Sequence, residues 1–142
     1  MIINFSKYAK SLSDEIEDKK AIFDIVIRSE VENTIKEAGL DPELFTLNKD
    51  SEQDFFKRPF VYTQEDDSFG DIYYDLVLPD TIFRCSCRIT LFQDGQKVES
   101  ETDIYRLENY KKGNREWEYF NGEDWEEGPG KDFFDFTDFE KN

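Results

Sequence analysis

Carboxylates are the one chemically capable side chain that this sequence has in abundance. Asp and Glu number 34 against 18 Lys and Arg, for a formal net charge of −16, and there is no histidine. A carboxylate pair does general acid–base work only where different environments split its two pKa values. Asp71 and Asp75 share one face of a predicted strand, and each is matched to an arginine across the strand. They read as cross-strand charge pairs on a wet face, contributing up to ~1 kcal/mol each. Glu65, Asp66 and Asp67 cluster with Asp71 near a loop. The run Asp66-Asp67-Ser68-Phe69-Gly70-Asp71 does not keep the alternating ligand order of an EF-hand, so a solvated acidic loop is the simpler account.

Nucleophilic catalysis lacks its parts. No histidine stands ready to deprotonate a serine or cysteine. The chain holds no Gly-x-Ser-x-Gly, P-loop or Rossmann glycine pattern. Cys85 and Cys87 point the same way in a strand and are too close for an ordinary disulfide. A structural zinc would need a second Cys or His pair, which is missing. They read as small core residues. The expectation is a protein that is not an enzyme and that folds without metal or cofactor.

Binding is the better-supported chemistry. Trp117, Tyr119, Phe120 and Trp125 gather around Asn121-Gly122, among Glu116, Glu118, Glu123, Asp124, Glu126 and Glu127. Ordinary sheet core is one reading of these aromatics. The other is an aromatic centre with an acidic rim, suited to a basic protein. The candidate partner-binding residues are therefore Glu116, Trp117, Glu118, Glu123, Asp124, Trp125, Glu126 and Glu127, with Glu65, Asp66 and Asp67 beside them. From Glu123 to Asn142 there are eight acids against Lys131 and Lys141. Such a field either keeps the protein soluble or steers a cationic partner.

The elements that must position these residues suggest an α+β fold, with N-terminal helices packed on one face of an antiparallel meander of about five or six strands. The 142 residues divide into a single domain over 1–127 (helical part 4–47, sheet part 58–127) and an acidic, Phe-rich tail over 128–142. Phe5, Tyr8, Ala9, Leu12 and Ile16 recur at helical spacing, and Ile27, Val31, Ile35 and Ala38 hold a later helical stripe. Ser11 with Asp14 is a weak capping box, so a helix can begin there. Ala21–Ile27 suits either a short buried strand or helix, and its phase favours helix. Gly39-Leu40 is a helix stop, and Asp41-Pro42 starts a short turn. Residues 48–57 are polar and read as loop.

In the middle third, two turns set the register. Asp94-Gly95 places Leu91 opposite Val98, Cys87 opposite Thr102 and Arg88 opposite Glu101. Pro79-Asp80 places Leu76 opposite Phe83, Tyr74 opposite Cys85, Asp75 opposite Arg84 and Asp71 opposite Arg88. Both send Phe83, Cys85, Cys87, Ile89 and Leu91 to one face, and a one-residue slip would expose them all. Arg58–Gln64 reads as a preceding strand. Residues 115–120 and 123–126 read as a hairpin about Asn121-Gly122, after which Gly128-Pro129-Gly130 breaks the sheet.

The N-terminus has no signal-peptide pattern, and reduced thiols suit the cytoplasm. No run approaches the ~20 apolar residues of a membrane span. So acidic a surface is unsuited to direct nucleic-acid binding. The expected function is a small acidic cytoplasmic inhibitor of a basic protein. Two settings fit: an immunity protein against a nuclease toxin, or a phage-type nucleic-acid mimic blocking a nucleic-acid-binding defence protein. The alternative is a small-ligand-binding domain with its pocket between helices and sheet.

Overall fold

A computed structural model describes residues 12–57, 67–91 and 98–130, with side chains over 17–57, 71–89 and 99–130. Three helical segments follow one another without a break: α1 (Leu12–Ala21), a π-wound segment (Ile22–Ile27) and α2 (Arg28–Glu37). The ambiguous run at 21–27 is thus helical but wider than an α-turn, and the Arg28 N–H donates to the Phe23 carbonyl five residues back. The widening has a packing reason. Ile27, Val31 and Ile35 are four residues apart, a spacing that drifts around an α-helix of 3.6 residues per turn, and the wider turn brings Ile22 and Val26 into the same buried set. The helix ends in a Schellman motif: Leu40 N–H donates to Ile35 O and Gly39 N–H to Lys36 O, with Gly39 at φ +79°. Asp41 then caps a 3-10 turn (Pro42–Leu44), accepting from the Glu43 amide at 3.0 Å.

The polar stretch expected as loop is instead helix α3 (Lys49–Lys57). Asn48 starts it, with Oδ1 accepting the Ser51 amide at 3.0 Å, and the buried Phe55 anchors it. The pattern was hidden because α3 has only two apolar residues, Phe55 and Phe56. Just before it, β1 (Thr46–Leu47) pairs with β2, so residues 46–47 belong to the sheet and not to the helical part.

The sheet is a six-stranded antiparallel meander in sequence order. Its long central strands are β2 (Asp67–Val77), β3 (Thr81–Leu91) and β4 (Val98–Glu108), followed by β5 (Glu118–Phe120) and β6 (Trp125–Glu127). Every register pair argued above for the central strands is present. The Asp94-Gly95 turn and the expected strand Arg58–Gln64 lie outside the described residues, as do Phe5, Tyr8 and Ala9 of the early stripe and the tail beyond Gly130, while Leu12 and Ile16 of that stripe fall in α1. One correction falls on the acidic loop: Asp67–Asp71 is strand, with a register irregularity between Ser68 and Asp71.

Two cores form. The larger joins Ile22, Phe23, Val26, Ile27, Val31 and Ile35 of the helix with Phe55 and with Ile72, Cys85, Cys87, Ile89 and Ile104 of the sheet. The smaller joins Ile82, Leu107, Tyr110 and Trp117. The wet-face reading of the arginine pairs holds for only one of them. Arg88 stays open to solvent beside Asp71 at 3.0 Å. Arg84 is 6% exposed. It holds Asp75 through two hydrogen bonds at 2.7 and 2.9 Å and lies 4.0 Å from the Tyr73 ring centroid. Among the described residues no helix is long and apolar enough to cross a membrane.

Candidate functional site

The end of the sheet is built by a chain reversal after β4. Asn109 adopts φ +57° and Gly113 φ +95°, bracketing a 3-10 turn (Tyr110–Lys112). The reversal swings Tyr110 inward, where its hydroxyl donates to the Leu78 carbonyl at 2.8 Å. It also brings the chain back as β5. Trp117, 1% exposed, closes this smaller core. Sheet core is therefore the role of Trp117, and it offers no aromatic anchor at the surface.

The hairpin differs in detail from a two-residue turn. Phe120 pairs with Trp125, and the loop is closed by the Asn121 amide donating to the Asp124 carbonyl at 3.0 Å. The Asn121 side-chain oxygen accepts the Glu123 and Asp124 amides, both at 2.9 Å. That pattern holds the tip in shape and needs Gly122 at φ +104°. Trp125 does not project from it. Its ring lies 6.0 Å from Phe83 and 5.4 Å from Phe120, with the Arg106 guanidinium 4.5 Å from its centroid. Glu126 is held by the Tyr119 hydroxyl and by Asn121 Nδ2, and these two hydrogen bonds keep its carboxyl below the ordinary carboxylate value. The hydrogen bond to Glu126 raises Tyr119 in turn. Glu123 and Asp124 remain exposed.

What the structure does bring together is an open cleft of about 490 Å³ lined by Glu108, Asn109, Asn114, Glu116, Trp117, Glu118 and Glu127. Four of these residues, Glu116, Trp117, Glu118 and Glu127, are among the sequence candidates. Glu108, Asn109 and Asn114 are additions that only the reversal after β4 makes neighbours. The asparagines shape the rim: Asn114 Nδ2 donates to the Glu108 carbonyl at 2.6 Å and its Oδ1 accepts the Glu116 amide at 3.1 Å. At Gly128, where the amide donates to the Trp117 carbonyl at 2.8 Å, a Cβ would stand 3.1 Å from that oxygen, so a side chain would push β6 off the cleft wall.

The electrostatics of the cleft are one-sided. Glu118 stands directly opposite Glu127 in the ladder, a like-charge pairing that destabilises a sheet. Arg106 compensates part of it, binding Glu118 at 3.0 Å and Glu108 at 3.5 Å. Among the described residues no ion pair is made by Glu116 or Glu127. The remaining candidates do not join this cleft. Glu123 and Asp124 are at the hairpin tip, Asp67 has only its backbone described, in β2, and Glu65 and Asp66 lie outside the described residues. No group of three His, Cys, Asp or Glu among the described residues is arranged to hold a metal ion. No protein-family model, no curated protein and no solved structure matches the chain.

Proposed function

We propose that the protein is a small acidic cytoplasmic inhibitor, with helices laid on one face of its sheet, that receives a basic side chain of a protein partner in the Glu108–Glu127 cleft. The observation that carries this reading is Glu118 paired with Glu127 in the wall of a cleft whose lining holds four carboxylates and no basic side chain. Like charges opposed in a short edge hairpin cost stability, and an arriving lysine or arginine relieves the repulsion. The net charge of −16 supplies the long-range field that speeds encounter with such a partner. The proposed partner is a basic protein, with a nuclease toxin or a nucleic-acid-binding defence protein as the settings that fit. In either, carboxylates occupy the place of phosphates, and binding excludes nucleic acid from the partner.

Differential capture tests the proposal. Extract from the native host, or from an attacking competitor, is passed over the immobilised full chain and over its Glu116→Gln/Glu127→Gln variant, and retained proteins are identified by mass spectrometry. A basic protein kept by the parent and lost by the variant is expected. Retention of the same proteins by both, or of acidic proteins only, overturns it.

A further inference from the structure

A second concavity lies at the other edge of the sheet, where α2, the 3-10 turn, β1 and α3 meet. It is an open groove of about 370 Å³. Its apolar lining comes from Phe23, Val31, Ile35, Phe45 and Leu47, with Tyr74 beside them. Burial pushes the Tyr74 hydroxyl up to about 12, against the pull of Arg28. The π-wound turn contributes Phe23 and Asp24 to the groove, and π-turns recur at functional sites.

The charges around the lining are Asp24, Glu32, Glu43 and Glu52 against Arg28 alone. Arg28 and Asp24 are both largely exposed and 3.9 Å apart, a contact worth little in water. An occupant must therefore be apolar where it enters and positive where it meets the rim. Ile25 and Leu44, which follow Asp24 and Glu43 in the chain without lining the groove, are 52% and 59% exposed, so further apolar surface is open to a partner larger than the groove itself. We infer that the groove is a docking site for a basic amphipathic segment of a protein. One large apolar side chain enters between Val31 and Leu47, and lysines or arginines meet Asp24, Glu32 and Glu43. This inference stands independently of the acidic cleft.

The probe is a short, fluorescein-labelled lysine–leucine peptide of helical period, added to the full chain and followed by anisotropy at physiological salt. Its control keeps every lysine and replaces each leucine by serine. The leucine peptide is expected to bind at least about ten-fold tighter than the control, because charge alone cannot fill the groove. Glu32→Lys/Glu43→Lys, two exposed substitutions, should weaken it by about ten-fold or more. Glu116→Gln/Glu127→Gln should leave it unchanged while abolishing capture through the cleft, so the two sites fail separately. Amide shifts in an isotope-labelled sample should centre on Val31, Phe45 and Leu47. Equal binding of the two peptides overturns the inference, as does indifference to the Glu32 and Glu43 reversals. Dodecylammonium shifting the groove amides where the leucine peptide does not would also overturn it and mark a small-ligand site.

Discussion

The Ser51 hydroxyl accepts the backbone amide of Tyr73 at 3.1 Å, and so helix α3 closes the open edge of β2. The same hydroxyl donates to the Asn48 carbonyl at 2.7 Å, and the Asn48 amide donates to the Tyr73 carbonyl at 2.8 Å. Both backbone groups of Tyr73 are satisfied just beyond the two-residue strand β1. An edge strand left open at this point would invite pairing with another chain. Ser51→Ala removes the acceptor while Tyr73 N–H stays covered, and should cost about 1–2 kcal/mol. Urea denaturation measures it, and an unchanged midpoint would show that water replaces the hydroxyl at no cost.

The two arginine pairs of the outer sheet face should respond very differently to the same mutation. Asp75→Asn leaves Arg84 buried and unneutralised by its main partner, with an expected loss of about 3–5 kcal/mol. Asp71→Asn frees an Arg88 whose side chain is already 56% exposed, with an expected loss of under ~1 kcal/mol. A double Arg84→Met/Asp75→Leu variant should recover much of the first loss, since the cost lies in the orphaned charge. Equal effects from the two single mutations would mean that solvent reaches Arg84 as freely as Arg88.

The contrast between those pairs also shows how far sequence patterning reaches. Period-two alternation about Pro79-Asp80 and Asp94-Gly95 yields partners for β2, β3 and β4, because only one register buries Cys85, Cys87 and Ile89 together. It does not say which half of the polar face is covered. That depends on Asn109 adopting a left-handed conformation, which folds Tyr110 and then Trp117 over Ile82 and Leu107. Asn109 and Gly113, both tolerant of positive φ, were a readable sign of this reversal, but their consequence is long-range. Four of the cleft's residues were legible as an acidic aromatic cluster, while Glu108 and the asparagines were not, being separated from them in sequence and joined only by that turn. Helix α3 escaped for a local reason: with Phe55 and Phe56 its only apolar residues, the Asn48 cap was the sole strong signal, in a stretch otherwise indistinguishable from solvated loop.

Trp117 and Trp125 give a direct optical test of these placements. In single-tryptophan variants, Trp125→Phe should leave a blue-shifted emission poorly quenched by acrylamide, from the buried Trp117. Trp117→Phe should leave a redder and more quenchable one. Trp117→Ala should cost about 3–5 kcal/mol, as truncation of a buried large aromatic does. A readily quenched Trp117 would open the smaller core and remove the floor of the cleft.

Burial raises both thiols, with Cys87 pushed up to about 11 from 9.0 and Cys85 also moved upward. Because the folded values lie above the ordinary one, the unfolded chain ionises first as pH rises. The thiols' contribution is whole below pH 9.0 and is lost as pH climbs toward and through the folded values. The urea midpoint should therefore fall above that pH, and Cys85→Ala/Cys87→Ala should flatten the fall. Iodoacetamide at neutral pH should label neither cysteine in the folded protein and both in urea. Rapid labelling without denaturant would place the thiols outside the core.

Cleft and hairpin tip should separate kinetically once a captured partner is in hand. Glu123 and Asp124 are exposed, and their carboxylates act on an approaching cation through the field. Neutralising them to Gln and Asn should slow association several-fold at low salt and leave dissociation nearly unchanged, since peripheral charge governs encounter. Glu116 and Glu127 line the cleft beside the buried Trp117, where a seated ammonium or guanidinium loses water and its hydrogen bonds strengthen. Their conversion to Gln should speed dissociation, with a loss of about 2 kcal/mol or more. Trp125→Ala, in contrast, removes the ring under Arg106 and loosens the guanidinium that holds Glu118. It should lower stability first and affinity only through the altered cleft charge, and Trp125→Phe, which keeps a ring there, should restore both. Surface-based kinetics at several salt concentrations reads all three effects. Dissociation unchanged by the Glu116 and Glu127 variants would move the contact out of the cleft, and association unchanged by the tip variants would show that the net charge is not what draws the partner in.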